Sequence, residues 1–261
     1  MQPLVNLALR AARNAAQDLV SRLDRFDPYQ STAQEKAKFI ADCSIGLEKG
    51  IIFELMKSCP QHDFYGRETG LHTSESSDKK TLWQVAAIDD LNNFRIGLPN
   101  YAIMVTCLVN GRPEHAVLVN PMSGDEFSAS RGRGAHLNNR RIRCGGETQL
   151  ANAVIGFNMP NRSDSERAYE LRQNINTIMN EAGDIRSIGT NALTLAYVAA
   201  DRLQGAMLSD MDEFSLNAAS LIAGESGCLI SNLSGEPKVT APADIIATNP
   251  RLLKQMIKVL G

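Results

Sequence analysis

The residues with the most chemical reach in this chain are a few acids and one arginine, all in polar segments between apolar runs. Asp89-Asp90 follows an apolar run ending at Ile88, Arg67-Glu68 follows Gly66, and Asp210, Asp212 and Glu213 lie close together further on. Neighbouring carboxylates can hold a divalent cation, which takes oxygen ligands and needs its charge balanced. The plainer reading of Asp89-Asp90 is a pair of solvated loop acids. Arg131, Arg133, Arg140, Arg141 and Arg143 form the one basic cluster. It could touch RNA or another acidic partner, but no aromatics are interleaved with it, and a solvated hairpin rim is the simpler reading. Gly132 and Gly134 make no dinucleotide fingerprint, because no strand-to-helix context follows them.

Metal and redox chemistry based on other side chains finds little support. The five cysteines are scattered, the four histidines form no cluster, and neither set has zinc-like spacing. Buried free thiols in a reducing compartment account for the cysteines. A net charge of −2 gives no general attraction to nucleic acid or acidic membranes. No apolar run approaches the roughly 20 residues that span a bilayer. Met1 to Arg13 carries Arg10 and Arg13 inside a helical pattern, unlike a secretory signal. The expectation is a cytoplasmic soluble protein without a membrane partner.

The elements that must position these residues are legible from periodicity. Leu4, Ala8, Ala11, Ala15, Leu19 and Leu23 recur at spacings of three and four, which predicts an opening helix. A second helix is predicted over Ala33 to Met56, ended by Cys59-Pro60. Strands are predicted at Phe64-Tyr65, Trp83 to Ile88, Tyr101 to Val109, Glu114 to Asn120 and Glu126 to Ser130, with a polar loop from Gly66 to Lys80. Asn110-Gly111 and Ser123-Gly124 supply the hairpin turns, so the first half should hold a mainly antiparallel sheet. The second half alternates strands and helices. Strands are expected at Ala153 to Phe157, Gly205 to Leu208, Cys228 to Ser231 and Ile245 to Thr248. Helices are expected from a capping box at Ser163 and Glu166 to near Gly183, over Asn191 to Arg202, over Ser215 to Gly224, and from Asn249-Pro250 onward. This is a mixed α/β (α+β) chain in two intimately packed parts, 1–145 and 146–261, forming one compact unit with its boundary near Gly145-Gly146.

Several stretches, in order, resemble the inositol monophosphatase family of Mg²⁺-dependent phosphatases. WQVAAIDDLNNFRIGLP, from Trp83 to Pro99, is similar to the family's W-V-I-D-P-L-D-G-T-T-N-F-x-x-x-x-P segment. SASRGRGAHLNNRRIR resembles its R-G-x-G-A-x-x-N-G element, and RSIGTNALTLAYVAADRLQG, from Arg186 to Gly205, its R-x-x-G-[ST]-A-A segment. Glu225-Ser226-Gly227 and the closing ATNPRLLKQM also match. The resemblance covers nearly the whole chain and implies a five-layered αβαβα sandwich, usually dimeric.

It also implies a metal site whose ligands this chain has lost. The family's V-T-x-x-D reads Ile40 to Ser44, so Ser44 stands at the acid. G-E-E-S reads Gly66 to Thr69, with Arg67 in place of the first, metal-bridging Glu. D-P-L-D-G-T reads Ala86 to Leu91, which leaves Ala86 for the first Asp, Asp89 for the second and Leu91 for the water-activating Thr. W-D-x-A-A-G reads Phe214 to Ala219, with Ser215 at the Asp. A cation ~4 Å from a divalent ion is repelled by roughly 8 kcal/mol at an effective dielectric of 20, about six powers of ten in binding. No catalytic residue, metal ligand or cofactor is therefore expected. Arg67 should instead neutralise Asp89, and Glu68, Asp89, Asp90, Gly189 and Thr190 could survive as a residual ligand pocket. The likeness is nearest to a bacterial branch whose members bind NusA in the RNA polymerase complex during ribosomal RNA transcription antitermination. It implies a homodimeric binding protein of that kind. The competing readings are a weak Mg²⁺-dependent phosphatase of inositol or sugar phosphates, and a metal-free sensor of a phosphorylated ligand.

Overall fold

A computed structural model of the chain describes residues 2–27, 31–158 and 165–261. Helix α1 (Pro3–Leu23) and helix α2 (Ala33–Ser58) open it. Pro3 starts α1, where its missing N–H costs nothing. A capping box starts α2, in which Thr32 accepts from the Glu35 N–H and Glu35 accepts from the Thr32 N–H. Then come β1 (Asp63–Gly66), β2 (Gly70–His72), β3 (Thr81–Ala86), α3 (Leu91–Ile96), β4 (Ile103–Val109), β5 (Arg112–Val119), β6 (Glu126–Ser130), β7 (Gly134–Leu137) and β8 (Arg140–Ile142). These strands form one eight-stranded sheet, β2-β1-β3-β4-β5-β6-β7-β8, antiparallel at every step except β1 with β3.

The rest of the chain builds a second sheet. Its elements are β9 (Val154–Phe157), α4 (Ser165–Glu181), β10 (Asp184–Arg186), α5 (Asn191–Ala199), β11 (Gly205–Met211), α6 (Glu213–Ser226), β12 (Leu229–Ser231), β13 (Ala243–Thr248) and α7 (Pro250–Leu260). The five strands run in the order β10-β9-β11-β13-β12.

Strand alternation sorts these elements into five layers. On β3, Trp83 and Val85 join the cluster under α1 and α2, while Ala86 faces the opposite cluster with α5 and α6. On β13, Ile245 and Ala247 face α5 and α6, while Ile246 packs with Ile178 of α4 and Leu252 and Met256 of α7. The order is helix pair, large sheet, helix pair, small sheet, helix pair, the expected αβαβα sandwich. Its middle layer is built for close approach, with Ala192, Ala196, Ala199, Ala218, Ala219 and Ala223 all buried.

The structure departs from the sequence reading at its shortest elements. The loop from Gly66 to Lys80 contains β2, and the connection after Asp90 coils into α3. The basic cluster lies on and around the β7–β8 hairpin, and β10 adds an edge strand before α5. Helix α5 ends at Ala199, short of Arg202, because Asp201 turns to a positive φ of 58°. Strand β11 continues past Leu208 to Met211 through an irregularity in its pairing with β13. The capping box at Ser163 lies outside the described residues.

Candidate functional site

The edges of β1, β3 and β11 and the starts of α3, α5 and α6 meet at a cleft of ≈ 310 Å³ between the two sheets. Arg67, Asp89, Asp90, Gly189, Thr190 and Ser215 line it, so most of the sequence-predicted positions are brought together. Three are not. Ser44 is buried on α2, Ala86 is buried under α5 and α6, and Glu68 has an exposed side chain outside the cleft lining.

Asp89 is the best-anchored carboxylate. Its Oδ1 accepts from the Ala102 N–H and its Oδ2 accepts from the Thr190 hydroxyl. Burial pushes its carboxyl up to about 6, against the pull of the Thr190 and Ala102 donors and the positive charge of Arg67. Thr190 is fixed because it is also the N-cap of α5, accepting from the Leu193 N–H at 3.3 Å. Gly189 before it has a φ of +89°, and a Cβ there would stand 2.6 Å from Asn93 Nδ2. That amide ties α3 to the cleft wall by donating to the Asn100 and Ile188 carbonyls, both at 2.8 Å.

Arg67 takes a different partner from the one expected. Its guanidinium donates to Asp212 Oδ2 at 2.7 Å and to the backbone carbonyl of Asp89 at 3.3 Å, and lies 5.1 Å over the Phe214 ring. The pairing with the Asp89 carboxylate predicted from sequence is therefore corrected. That carboxylate is held by Thr190 and Ala102, and the cation reaches across to the second sheet instead. Asp212 is the N-cap of α6, with its other oxygen accepting from the Ser215 N–H at 2.7 Å. Its role was hidden in the sequence, although an Asp three residues before Ser215 at a helix start is a recognisable cap.

The remaining acids of the cleft are also engaged. Asp90 caps α3 by accepting from the Asn93 N–H at 2.8 Å. Asp210 pairs with Arg167 at 2.8 Å, and Arg167 also pairs with Asp244 at 2.7 Å. Sequence reasoning missed Glu48 altogether. This fully buried α2 carboxylate accepts from the Thr69 N–H at 2.8 Å, the Thr69 hydroxyl at 2.7 Å and the Glu68 N–H at 3.1 Å. It thereby shapes the turn that presents Arg67. Gly66 is required beside it, since a Cβ would fall 2.0 Å from Glu48 Oε1.

A sandwich of this topology, with a cleft where the two sheets meet the starts of α5 and α6, defines the inositol monophosphatase fold. The sequence matches that family over residues 1–260, and the chain belongs to the inositol monophosphatase family. It is 32% identical over 258 residues to a Pseudomonas aeruginosa protein named Nus factor SuhB, covering 98% of this chain and 95% of that one. The Nus factor SuhB of Escherichia coli K12 is 30% identical over 257 residues, covering 98% and 95%. The crystal structure of the extragenic suppressor protein suhB from Bartonella henselae superposes with a TM-score of 0.86 at 27% identity, covering 99% of each chain. An inositol monophosphatase structure from Anabaena shares the fold, with a TM-score of 0.82 at 22% identity over 98% of this chain and 94% of that one.

The Mg²⁺ ions that the family resemblance implies do not suit the donors present. Mg²⁺ demands a near-ideal octahedron of oxygens with free lone pairs. Here Ala86, Ser44 and Ser215 offer no carboxylate, Asp89 already accepts a hydrogen bond on each oxygen, and Asp212 is held by a guanidinium. Among the described residues no three His, Cys, Asp or Glu side chains are grouped so as to hold a metal ion. No helix among those residues is long and apolar enough to cross a membrane.

Proposed function

We propose that this chain is a metal-free, catalytically silent member of the inositol monophosphatase family that works as a cytoplasmic, homodimeric binding protein. In the role carried by its relatives' name it is a Nus factor, acting with NusA and RNA polymerase in ribosomal RNA transcription antitermination. The observation that supports the loss of catalysis is the Arg67–Asp212 ion pair, in which a cation stands at the position that the family resemblance assigns to a metal-bridging carboxylate. Its guanidinium bridges the large sheet, through the Asp89 carbonyl, to the start of α6, and so gives the cleft an internal cross-link. The similarity to proteins named Nus factor SuhB along almost the full length supports the binding role.

Two measurements on one preparation test this reading. Phosphate release from inositol 1-phosphate in the presence of Mg²⁺ should stay at the level of a no-protein control. Purified NusA should be retained on the immobilised chain, and sedimentation should give a dimer mass. Turnover that depends on Mg²⁺ would overturn the catalytic part, and NusA passing through unretained would overturn the binding part.

A further inference from the structure

The β7–β8 hairpin carries four exposed arginines, Arg133, Arg140, Arg141 and Arg143. Eight other arginines of the chain are ion-paired, whereas these four hold no carboxylate among the described residues. The acids nearby are engaged elsewhere. Glu126 holds Arg13 at 2.5 Å and Glu114 holds Arg131 at 3.1 Å. Glu225 accepts from the Gly132 and Gly134 N–H groups at 2.7 and 2.8 Å, which fixes the β6–β7 turn without neutralising Arg133. The hairpin is therefore a local concentration of uncompensated positive charge. The net charge of −2 belongs to the whole chain, and at the edge of the sheet screening over ~8–10 Å leaves the field of these arginines dominant.

We infer that this edge of the large sheet binds the phosphodiester backbone of a nucleic acid strand. Strand β8 is the last of its sheet, so among the described residues no strand pairs with its outer side. Arg141 lies opposite His136 in the ladder, and its guanidinium covers Gly134, with Nε, Nη2 and Cζ at 3.1, 3.2 and 3.4 Å from where a Cβ would stand. Only a residue without a side chain leaves that space, so Gly134 holds the fork against the strand. Alternation sends Arg140 to the opposite face, and the charge thus wraps both sides of the edge. With Ala135 opposite Ile142, Arg133 stands at the same end of the hairpin as Arg143.

The chemistry of the surface selects this occupant. Arg140 to Arg143 span roughly 10 Å at ~3.3 Å per residue, enough to meet a few successive phosphates, and planar guanidinium forks suit phosphate oxygens. A polymer charged at every link can follow both faces of the edge. An acidic peptide added as a further strand would find only the three residues of β8 to pair with. An anionic bilayer would find no apolar anchor, since the hairpin tip is Asn138-Asn139, exposed at φ of 48° and 63°, and Leu137 packs inward on the central cluster. The cluster has no aromatic side chain, which confines the contact to phosphates and makes it independent of base sequence. The inference rests on this surface alone and not on the role proposed for the chain.

The test titrates the full chain into a fluorescein-labelled oligouridylate of about 20 nucleotides and reads anisotropy between about 50 and 200 mM salt. Four phosphate contacts on a single strand give a slope of about −2.8 in log affinity against log salt, so binding should weaken about 50-fold across that range. Arg141→Gln with Arg143→Gln should halve the slope and leave about a 7-fold change, whereas lysine at both positions keeps the charge and should keep most of the slope. Arg172→Gln with Arg251→Gln alters net charge equally at exposed arginines of α4 and α7 and should bind as the wild type does. No anisotropy change at about 100 μM chain in the lower salt would overturn the inference, as would a slope near zero or glutamine variants at the hairpin that bind like the wild type. Displacement by polyglutamate at a lower charge concentration than by unlabelled oligouridylate would overturn it too, by making an acidic peptide the occupant. The wild-type slope decides the matter even if a variant fails to fold, and NusA retention is measured separately, so failure here leaves the proposed role standing.

Discussion

Replacing Arg67 with alanine removes three contacts at once. The ion pair with Asp212 is partly screened, since the Arg67 side chain is 19% exposed and that of Asp212 51%, so it contributes about 0.5–1 kcal/mol. Stacking over Phe214 adds about 0.5–1 kcal/mol. The long hydrogen bond to the Asp89 carbonyl adds at most about 0.5 kcal/mol. Arg67→Ala should therefore cost about 1–2.5 kcal/mol, below the 3–5 kcal/mol typical of breaking a buried pair. Partner identity is read from two double-mutant cycles by urea unfolding at about pH 8, where the Asp89 carboxyl, with its pKa of about 6, is ionised. Asp212→Asn removes the charge but keeps a side chain that caps α6 equally well, so its coupling to Arg67→Ala isolates the ion pair at about 0.5–1 kcal/mol. Coupling between Arg67→Ala and Asp89→Asn should be smaller than that, since no hydrogen bond joins the two side chains. A larger coupling to Asp89 than to Asp212 would refute the assignment.

Three further outcomes follow from the same contacts. The folded pKa of Asp89, about 6, lies above its unfolded value, so the native state holds the proton more tightly. The stability this contributes is full below about pH 4 and is lost as pH rises through the folded pKa. Asp89→Asn should thus gain on the wild type by up to about 2–3 kcal/mol between about pH 4 and 8, and a flat difference across that window would contradict the burial of Asp89. Glu48→Ala strips the acceptor from the Thr69 and Glu68 donors and should cost about 3–4 kcal/mol by denaturant melt. Glu48→Gln, which keeps the shape and one acceptor, should cost less, and equal costs would show that the donors find other partners. Gly66→Ala drives a Cβ into Glu48 and Thr69 and should destabilise by at least about 2 kcal/mol, whereas a neutral effect would mean that this turn yields.

The long elements were legible because their signals are local. The alanine-rich stripe of α1, the Asn110-Gly111 turn and Pro250 at the start of α7 each follow from neighbours within a few residues. The three-residue strands β2 and β10 carry too few positions to show alternation, and they exist because a longer strand pairs with them. At the site, the family resemblance brought Arg67, Asp89, Gly189, Thr190 and Ser215 to one cleft. It could not supply the pairing. Asp212 is 145 positions from Arg67 in sequence, and the two meet only when the start of α6 is folded against the turn after β1. Glu48 stayed invisible because an acid in a helix reads as solvent-facing until the turn that caps it is in place.

The most direct test of the central claim is the melting temperature of the chain titrated with Mg²⁺ to about 10 mM. A site with a Kd of about 0.1 mM would stabilise the fold by roughly 2.7 kcal/mol at that concentration, a shift of several degrees. The account predicts a flat titration in which the wild type and Asp89→Asn behave alike. A dose-dependent rise in the wild type that disappears in Asp89→Asn would contradict it, because a divalent ion would then be binding at Asp89 beside the Arg67 cation.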